Sequence, residues 1–204
     1  FTGIALKSMV EEMGVDASFI RLDEGNTRIN VKLRGIAETE INGQGPNITQ
    51  KAIDQLTRRL EELNGDDFLI ISGAIPTHLP QTIYSDILER VSGRIGGFIV
   101  DATNELLTNT LPYRPFMVKP NIAELEELAG MELNTVEEIE QAARILQEKG
   151  AVNVLVSMGG DGAFLLDEFG KAHHHAAPKG TLKNSVGAGD SMVAGFLAGY
   201  LEQG

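Results

Sequence analysis

TVEEIEQAARILQEKGAVNVLV, residues 135–156, joins a helical pattern directly to a strand pattern. Thr135 followed by Glu138 is the capping-box arrangement that begins a helix, and apolar residues then recur at helical spacing. Gly150 is typical of the residue that ends a helix. Residues 152–156 form a short apolar run, as in a strand that is buried on both faces. The segment therefore predicts a helix and then a strand of a parallel sheet.

The same alternation extends to both sides of that segment. Strands separated by helical segments of about ten or more residues predict a parallel sheet with helices on both faces, and hence an α/β fold. A hairpin and a final helix complete the pattern. The predicted helices cover about 4–13, 53–63, 83–91, 122–129, 136–149 and 188–201, and the predicted strands 68–71, 98–100, 116–118, 152–156, 163–166 and 172–176.

Charge and composition narrow the class of partner. The 204 residues include 17 basic and 29 acidic side chains, which gives a net charge of -12. Since no basic run offsets it, this charge argues against nucleic acid or an anionic membrane as a partner. The absence of cysteine excludes disulfides, thiolate catalysis and Cys-ligated zinc, and it is compatible with a reducing cytosol. We therefore expect a cytoplasmic protein whose partners are small molecules.

Residues 17–42 do not follow the helix–strand alternation and predict a small sheet outside the main one. Short strands are expected over 17–22, 28–33 and 38–42, and the second alternates strictly between polar and apolar residues. Its polar face carries Arg28, Asn30 and Lys32. Two cations and an amide suit a phosphate group, but the solvated side of a half-exposed sheet has the same pattern.

NSVGAGDS, residues 184–191, leads into the final helix. Gly187 and Gly189 allow backbone N–H groups to turn toward one point, where the helix dipole adds positive potential. Asp190 would repel a bound anion, but it is well placed to act as a base toward a hydroxyl nucleophile. A plain helix start, with glycines for close packing and an acidic residue favoured by the dipole, explains the same spacing.

Two further segments follow predicted strands. In KPNIAE, residues 119–124, Pro120 delays the helix, so that Asn121 and Glu124 lie on one face at its positively charged end. SMGGDGA, residues 157–163, has three glycines in four residues, which would allow close approach of a phosphate. A helix cap with a solvated charge explains the first segment without a ligand, and a tight hairpin turn explains the second.

The run NSVGAGD resembles the C-terminal signature of the PfkB, or ribokinase-like, family of carbohydrate kinases, without interruption over residues 184–190. The resemblance implies a ribokinase-like three-layer α/β domain with a mostly parallel sheet and a small β-strand lid, at about 17–42. It also implies that Asp190 deprotonates the sugar hydroxyl. The backbone N–H groups of Gly187, Ala188 and Gly189 would then stabilise charge on the transferred phosphoryl group.

KPNIAE, at 119–124, and SMGGDGA, at 157–163, resemble parts of the ATP site in this family. The resemblance implies that Lys119 lies near the nucleotide phosphates, and that Asn121 and Glu124 organise water and magnesium. ATP and Mg²⁺ are therefore the expected cofactors. The loop after the strand at 152–156 would also contact ATP, and its residues are Ser157, Met158, Gly159, Gly160, Asp161 and Gly162.

The small strands resemble the phosphosugar branch of the family. Arg28 corresponds to a residue that contacts the phosphate already present on the sugar, and Asn30 and Lys32 share its face. ETEIN at 38–42 is typical of 1-phosphofructokinases and tagatose-6-phosphate kinases. SGAIP at 72–76, which contains Ser72 and Gly73, resembles a further substrate-side loop.

The expected activity is ATP-dependent phosphorylation of a ketose phosphate, most simply fructose 1-phosphate to fructose 1,6-bisphosphate. Tagatose-6-phosphate kinase is the alternative within the family. A non-catalytic sensor of sugar phosphate or nucleotide is the alternative of another class. A second copy, docked through the lid, is the protein partner that we consider.

The ends of the chain differ from the family pattern. Family members begin with an Asp-bearing strand and a Gly-Gly-Lys-Gly-x-Asn element, and they continue beyond the last helix. These parts do not occur in the 204 residues. We therefore expect one kinase domain over 1–204 that lacks its N-terminal strand and its C-terminal end, and that is a poor kinase by itself.

Overall fold

Helices and strands alternate along most of the chain, as the sequence predicts. A computed structural model describes residues 2–34, 38–73, 75–76, 78–181 and 186–203. The chain forms two units. The small unit comprises Phe1–Leu63 and Ala74–Ile83, and the large unit comprises Asn64–Gly73 and Tyr84–Gly204.

The small unit contains two helices and a two-stranded sheet: α1 (Thr2–Glu12), β1 (Asn30–Arg34), β2 (Glu38–Asn42) and α2 (Gln50–Leu60). The strands pair antiparallel, and Val31 lies opposite Ile41. Two of the three strands predicted between residues 17 and 42 are therefore confirmed. Thr49 is the N-cap of α2, and its side-chain oxygen accepts the N–H of Ala52; the helix ends at Leu60, three residues before the predicted end at Leu63.

The strand predicted over 17–22 is wrong. These residues have no regular secondary structure. The N–H of Phe19 donates to the carbonyl of Ala17 at 3.0 Å, and this tight turn bends the backbone away from the extended form that a strand needs. Within the segment the Ala17 side chain is buried, whereas Phe19 is 41% exposed.

The large unit is built on one six-stranded sheet whose strands are in chain order. Pairing is parallel from β3 to β6 and antiparallel from β6 to β8, so the mostly parallel sheet and the hairpin are both confirmed. The strands are β3 (Phe68–Ser72), β4 (Gly97–Asp101), β5 (Met117–Val118), β6 (Asn153–Ser157), β7 (Ala163–Leu166) and β8 (Ala172–His175).

The helices between and after these strands match the predictions, with the exception of α4. They are α3 (Ile83–Val91), α4 (Asn104–Thr108), α5 (Ile122–Ala129), α6 (Val136–Glu148) and α7 (Ala188–Gln203), with 3₁₀ turns at Leu111–Tyr113 and Gly159–Asp161. Only α4 and the 3₁₀ turns were not predicted, because elements of three to five residues are too short to show helical periodicity.

One buried cluster of the large unit lies between the sheet and α7. Ile99, Met117 and Leu155 of three neighbouring strands pack with Val193 of α7 in one buried cluster. Complete burial of an aliphatic side chain of this size contributes about 1.5–3 kcal/mol. This packing fixes the start of α7 relative to the carboxyl ends of the strands, where the predicted site residues lie.

Candidate active site

The carboxyl ends of the parallel strands bring several of the predicted residues to one edge of the sheet. Ser72 ends β3, Lys119 directly follows β5, and Ser157 ends β6. Asn121 forms an isolated parallel bridge with Ser157. In open α/β sheets, ligands bind outside this edge. At this edge, the structure therefore brings together residues that were predicted to contact the nucleotide, Lys119, Asn121 and Ser157. Ser72, which was predicted to contact the sugar, lies at the same edge.

Lys119 is the best enclosed of these side chains. The residue is only 7% exposed, and its Nζ lies 3.2 Å from Oδ1 of Asp101. A Cβ placed on Gly189 would lie 3.1 Å from the same Nζ. The ammonium group therefore lies directly beside the first turn of α7, at a distance that leaves little room for a side chain at Gly189.

The first turn of α7 has the geometry expected of an anion hole. Gly187 has φ +79°, a value that disfavours other residues, and its carbonyl accepts the N–H of Ser191 at 2.9 Å. Ala188 is the first helical residue, and Asp190 is exposed in the first turn. The N–H groups of an α-helix's first turn lack partners within the helix, which is the basis of anion binding at such helix ends. Asn184 and Ser185 of the predicted motif lie outside the described residues.

Asn121 and Glu124 form a complete capping box at the start of α5. Oδ1 of Asn121 accepts the N–H of Glu124 at 2.9 Å, and Oε2 of Glu124 accepts the N–H of Asn121 at 2.8 Å. The helix-cap interpretation is thus confirmed. The helix cap does not exclude a second role of Asn121 and Glu124 in binding magnesium or water, because each carboxylate or amide oxygen has a second lone pair.

The loop after β6 is a hairpin turn in which the glycines differ in role. The N–H of Met158 donates to the carbonyl of Gly162 at 2.9 Å. A Cβ on Gly162 would lie 1.9 Å from the carbonyl oxygen of His175, so this glycine is required by packing. Added Cβ atoms on Gly159 and Gly160 would meet nothing within 4 Å, so the space beside those two residues is open. Asp161 is the last residue of the 3₁₀ turn that begins at Gly159.

Sequence reasoning missed Asp101 and Tyr84. Asp101 ends β4, opposite Ser72 in the sheet, and the hydroxyl of Tyr84 donates to the carbonyl of Gly73 at 3.0 Å. Burial and, to a smaller extent, the charge of Asp101 raise the pKa of Tyr84. A signal for Asp101 was present, because it follows the apolar run at 98–100 just as Lys119 follows the run at 116–118.

The predicted sugar-phosphate residues lie in the small unit. Nε of Arg28 donates to Oδ1 of Asn30 at 2.9 Å, so these two side chains are side by side as the alternation predicts. Both residues, and Lys32, are exposed. The opposite face is exposed as well, with Ile29 at 61% and Val31 at 43%, so the sheet is not half-buried in the way that the alternation suggested.

The chain matches the family model described as pfkB family carbohydrate kinase over residues 1–204. It belongs to the pfkB family of carbohydrate kinases. It is 41% identical, over its full length, to a 1-phosphofructokinase of Bacillus subtilis, and 32% identical, over 98% of its length, to a 1-phosphofructokinase of Borreliella burgdorferi. The chain spans 66% and 65% of the lengths of these two relatives.

A solved pfkB-like neighbour confirms the fold. Phosphofructokinase-2 from Escherichia coli, in complex with substrates and products, superposes with a TM-score of 0.88 at 26% identity. The match covers 98% of this chain and 66% of that chain. The pfkB family and the three-layer α/β fold inferred from the run at 184–190 are therefore both confirmed.

The described residues of this pfkB chain include no helix that combines the length and the apolar character needed to cross a membrane. In the same residues, no group of three His, Asp or Glu side chains lies close enough to hold a metal ion. A divalent cation at Asn121 and Glu124 would therefore need further ligands from water or from a bound phosphate.

Proposed function

We propose that the protein transfers the γ-phosphoryl group of ATP to fructose 1-phosphate and forms fructose 1,6-bisphosphate. The proposal is supported above all by one observation: the ammonium of Lys119 lies beside Gly189 in the first turn of α7. A cation and a row of helix N–H groups then face one point at the ligand edge of the sheet. The names of the relatives support the choice of reaction.

Asp190 is the base in this proposal. Its carboxylate is exposed in the first turn of α7, one residue after Gly189. It takes the proton of the free primary hydroxyl of the sugar as that oxygen forms a bond to the γ-phosphorus. The bond from phosphorus to the β,γ-bridging oxygen breaks at the same time, and ADP leaves.

The remaining groups of the large unit stabilise negative charge. The N–H groups of Gly187, Ala188 and Gly189 face the transferred phosphoryl group, and Lys119 faces the nucleotide phosphates. Ser157 and the turn of Met158, Gly159, Gly160, Asp161 and Gly162 line the nucleotide side, where Gly159 and Gly160 leave room for a phosphate or ribose.

Magnesium fits the donor type at the start of α5. Asn121 and Glu124 present oxygen atoms there, and Mg²⁺ prefers oxygen ligands and keeps several waters. When bound, the ion would neutralise charge on the nucleotide phosphates. The capping box holds Glu124 in one rotamer, so the carboxylate is oriented before any ion arrives.

Arg28, Asn30 and Lys32 bind the phosphate that the sugar already carries. The hydrogen bond from Arg28 to Asn30 orients the guanidinium, and a guanidinium can bind a phosphate through two parallel hydrogen bonds. Ser72 and Gly73, which is held by Tyr84, contribute the substrate-side loop of the large unit. This anion site is the reason to prefer a ketose phosphate over an unphosphorylated sugar.

Steady-state kinetics with purified, intact protein tests the proposed function. We expect kcat/KM to be at least about tenfold higher with fructose 1-phosphate than with fructose, since loss of the charge-assisted contact to the sugar's phosphate costs more than about 1.4 kcal/mol. Among the two ketose phosphates, we expect fructose 1-phosphate to have the higher kcat/KM. A preference for tagatose 6-phosphate would assign the alternative substrate. Tight ligand binding without turnover would assign the sensor role.

A second copy of the chain is the protein partner that fits the small unit. Val31, Leu33 and Ile41 lie on one face of the β1–β2 sheet and Ile29 directly precedes β1; all four are more than 40% exposed. Sedimentation velocity on the intact protein tests this. Val31→Lys should yield monomers, whereas Asn30→Lys, on the opposite face of the same strand, should leave the assembly unchanged. A dimer that survives Val31→Lys contradicts the proposal.

Location in the cytoplasm stays a prediction from composition.

A further inference from the structure

We propose that Asp101 is a positioning residue, whose carboxylate holds the ammonium of Lys119 in place beside the first turn of α7. This proposal rests on the proposed kinase function, because it assigns Lys119 to the nucleotide phosphates. Asp101 itself need not touch the nucleotide or the sugar to act in this way.

The backbone fixes the two residues next to each other. Val100 of β4 lies opposite Val118 of β5, so Asp101 and Lys119 are the next residues of two neighbouring parallel strands. The N–H of Lys119 donates to the carbonyl of Val100 at 3.4 Å. The ion pair therefore joins the ends of two strands whose backbones are already held side by side by sheet pairing.

Burial makes the carboxylate necessary. The side chain of Lys119 is 9% exposed and that of Asp101 is 23% exposed. An ammonium this well enclosed is strongly disfavoured without a counter-charge. A lysine side chain has four rotatable bonds, so a partner at 3.2 Å also selects one conformation from many. That conformation is the one that brings Nζ to Gly189.

Among the described residues, the cation paired with Asp101 is Lys119. Tyr84 is near enough for the charge of Asp101 to raise its pKa, but the Tyr84 hydroxyl donates to the carbonyl of Gly73. The Asp101 side chain is 23% exposed and paired with an ammonium, whereas Asp190 is exposed at the start of α7. The two carboxylates of the site thus have separate tasks, one as an anchor for a cation and one as a base.

A double-mutant cycle with Asp101→Asn and Lys119→Met in the intact protein tests the assignment. We expect Asp101→Asn to lower kcat about 10- to 100-fold, the size of effect that misplacement of a catalytic group produces, with KM for fructose 1-phosphate unchanged within about twofold. In the Lys119→Met background, Asp101→Asn should change kcat less than about twofold, because there is no ammonium left to position. Asp101→Glu, which keeps the charge, should recover part of kcat.

Controls separate positioning from folding. Glu140→Gln breaks the exposed ion pair with Arg144 in the same unit and should leave kcat unchanged. Melting temperatures of all variants show whether Asp101→Asn still folds, and Asp101→Glu carries the test if it does not. Equal fold-losses from Asp101→Asn in both backgrounds, or no loss at all, would overturn the proposal.

The proposed function and this proposal fail in different ways. A wild-type protein that phosphorylates no ketose phosphate refutes the proposed function. The same four proteins then decide the role of Asp101 through their affinity for ADP, measured by calorimetry. A change caused by Asp101→Asn only when Lys119 is present supports positioning, and the same change in both backgrounds overturns it.

Discussion

The two units use similar apolar strand residues in opposite ways. In the large unit, Ile99 and Met117 are completely buried between the sheet and its helices. In the small unit, Ile29 is 61% exposed and Ile41 is 55% exposed on a two-stranded sheet. A two-stranded sheet is marginally stable by itself, whereas a helix-covered parallel sheet is a rigid frame. The difference suggests a division of tasks, with the chemistry on the buried frame and recognition of the sugar phosphate on the exposed sheet.

Asp190→Asn should have the largest effect, and it tests whether the chemistry is carried out by the large unit. The substitution keeps the size of the side chain but removes the base, so kcat should fall about 10²- to 10⁴-fold in the intact protein. ATP affinity should survive, because the N–H groups of Gly187 and Gly189 are unchanged. Glu202→Gln, at the other end of α7, is the matched control. A folded, ATP-binding variant that retains more than about half of kcat would exclude Asp190 as the base.

Arg28→Ala tests whether the small unit recognises the sugar phosphate. Loss of a charge-assisted contact to the sugar's phosphate, of about 1.5–3 kcal/mol, should raise KM for fructose 1-phosphate roughly 10- to 100-fold and leave ATP affinity nearly unchanged. Arg58→Ala removes an exposed cation from α2 of the same unit and should have little effect. An unaltered KM would mean that this face of β1 is only a solvated surface.

Glu124→Gln and Glu138→Gln compare two capping boxes within the large unit. Both glutamates accept the N–H of their N-cap residue, so both substitutions should lower the melting temperature slightly. Only Glu124→Gln should raise the Mg²⁺ concentration needed for half-maximal activity, by about tenfold, because loss of an oriented carboxylate weakens metal binding. If both variants need the same Mg²⁺ concentration for half-maximal activity, Glu124 acts only as a helix cap.

The smallest effect concerns pH and the start of α6. Hydrogen bonds from the N–H of Asn134, and then from Thr135, lower the pKa of Glu138. A lowered folded-state pKa adds stability above the ordinary glutamate value, and that stability is lost as pH falls through the folded-state pKa. The difference in melting temperature between wild type and Glu138→Gln should therefore shrink below about pH 4.5. A difference that is constant from pH 7 to pH 3 would contradict this account.

The small unit offers a reference for that measurement. Helix α2 also begins at a threonine, Thr49, but the third residue after it is Ala52 and not a glutamate. Its N-cap bond involves no titrating carboxylate. Thr49→Ala should therefore lower the melting temperature by an amount that does not vary across the same acidic range.

Periodicity predicted the large unit well, because burial there is complete enough to leave a clear pattern. The helix at 122–129 and the hairpin after β6 follow from the spacing of apolar residues and glycines. The strand expected at 17–22 shows the limit of this reasoning, since a single buried alanine beside a turn imitates a strand in composition. Pairing, and not composition, decides whether such a run joins a sheet.

The candidate site could be predicted in part. Asp190, Lys119 and the capping residues come from short motifs, and each of them lies at the edge where parallel strands or helices present their polar ends. Asp101 could not be singled out in the same way, because its role depends on Lys119, eighteen residues later in the sequence. Neighbouring strands that are far apart in sequence bring together charges that no local motif connects.

The hydrogen bond from Tyr84 to Gly73 has a topological consequence. Gly73 follows β3 and Tyr84 lies in the first turn of α3, so this bond closes a loop between two residues that are eleven apart in the sequence. Closing a loop restricts the paths open to every residue within it, and the entropy lost depends only weakly on loop length. Because burial and the charge of Asp101 raise the pKa of Tyr84, the phenol keeps its proton, and with it the closed loop, at alkaline pH values where an exposed tyrosine ionises.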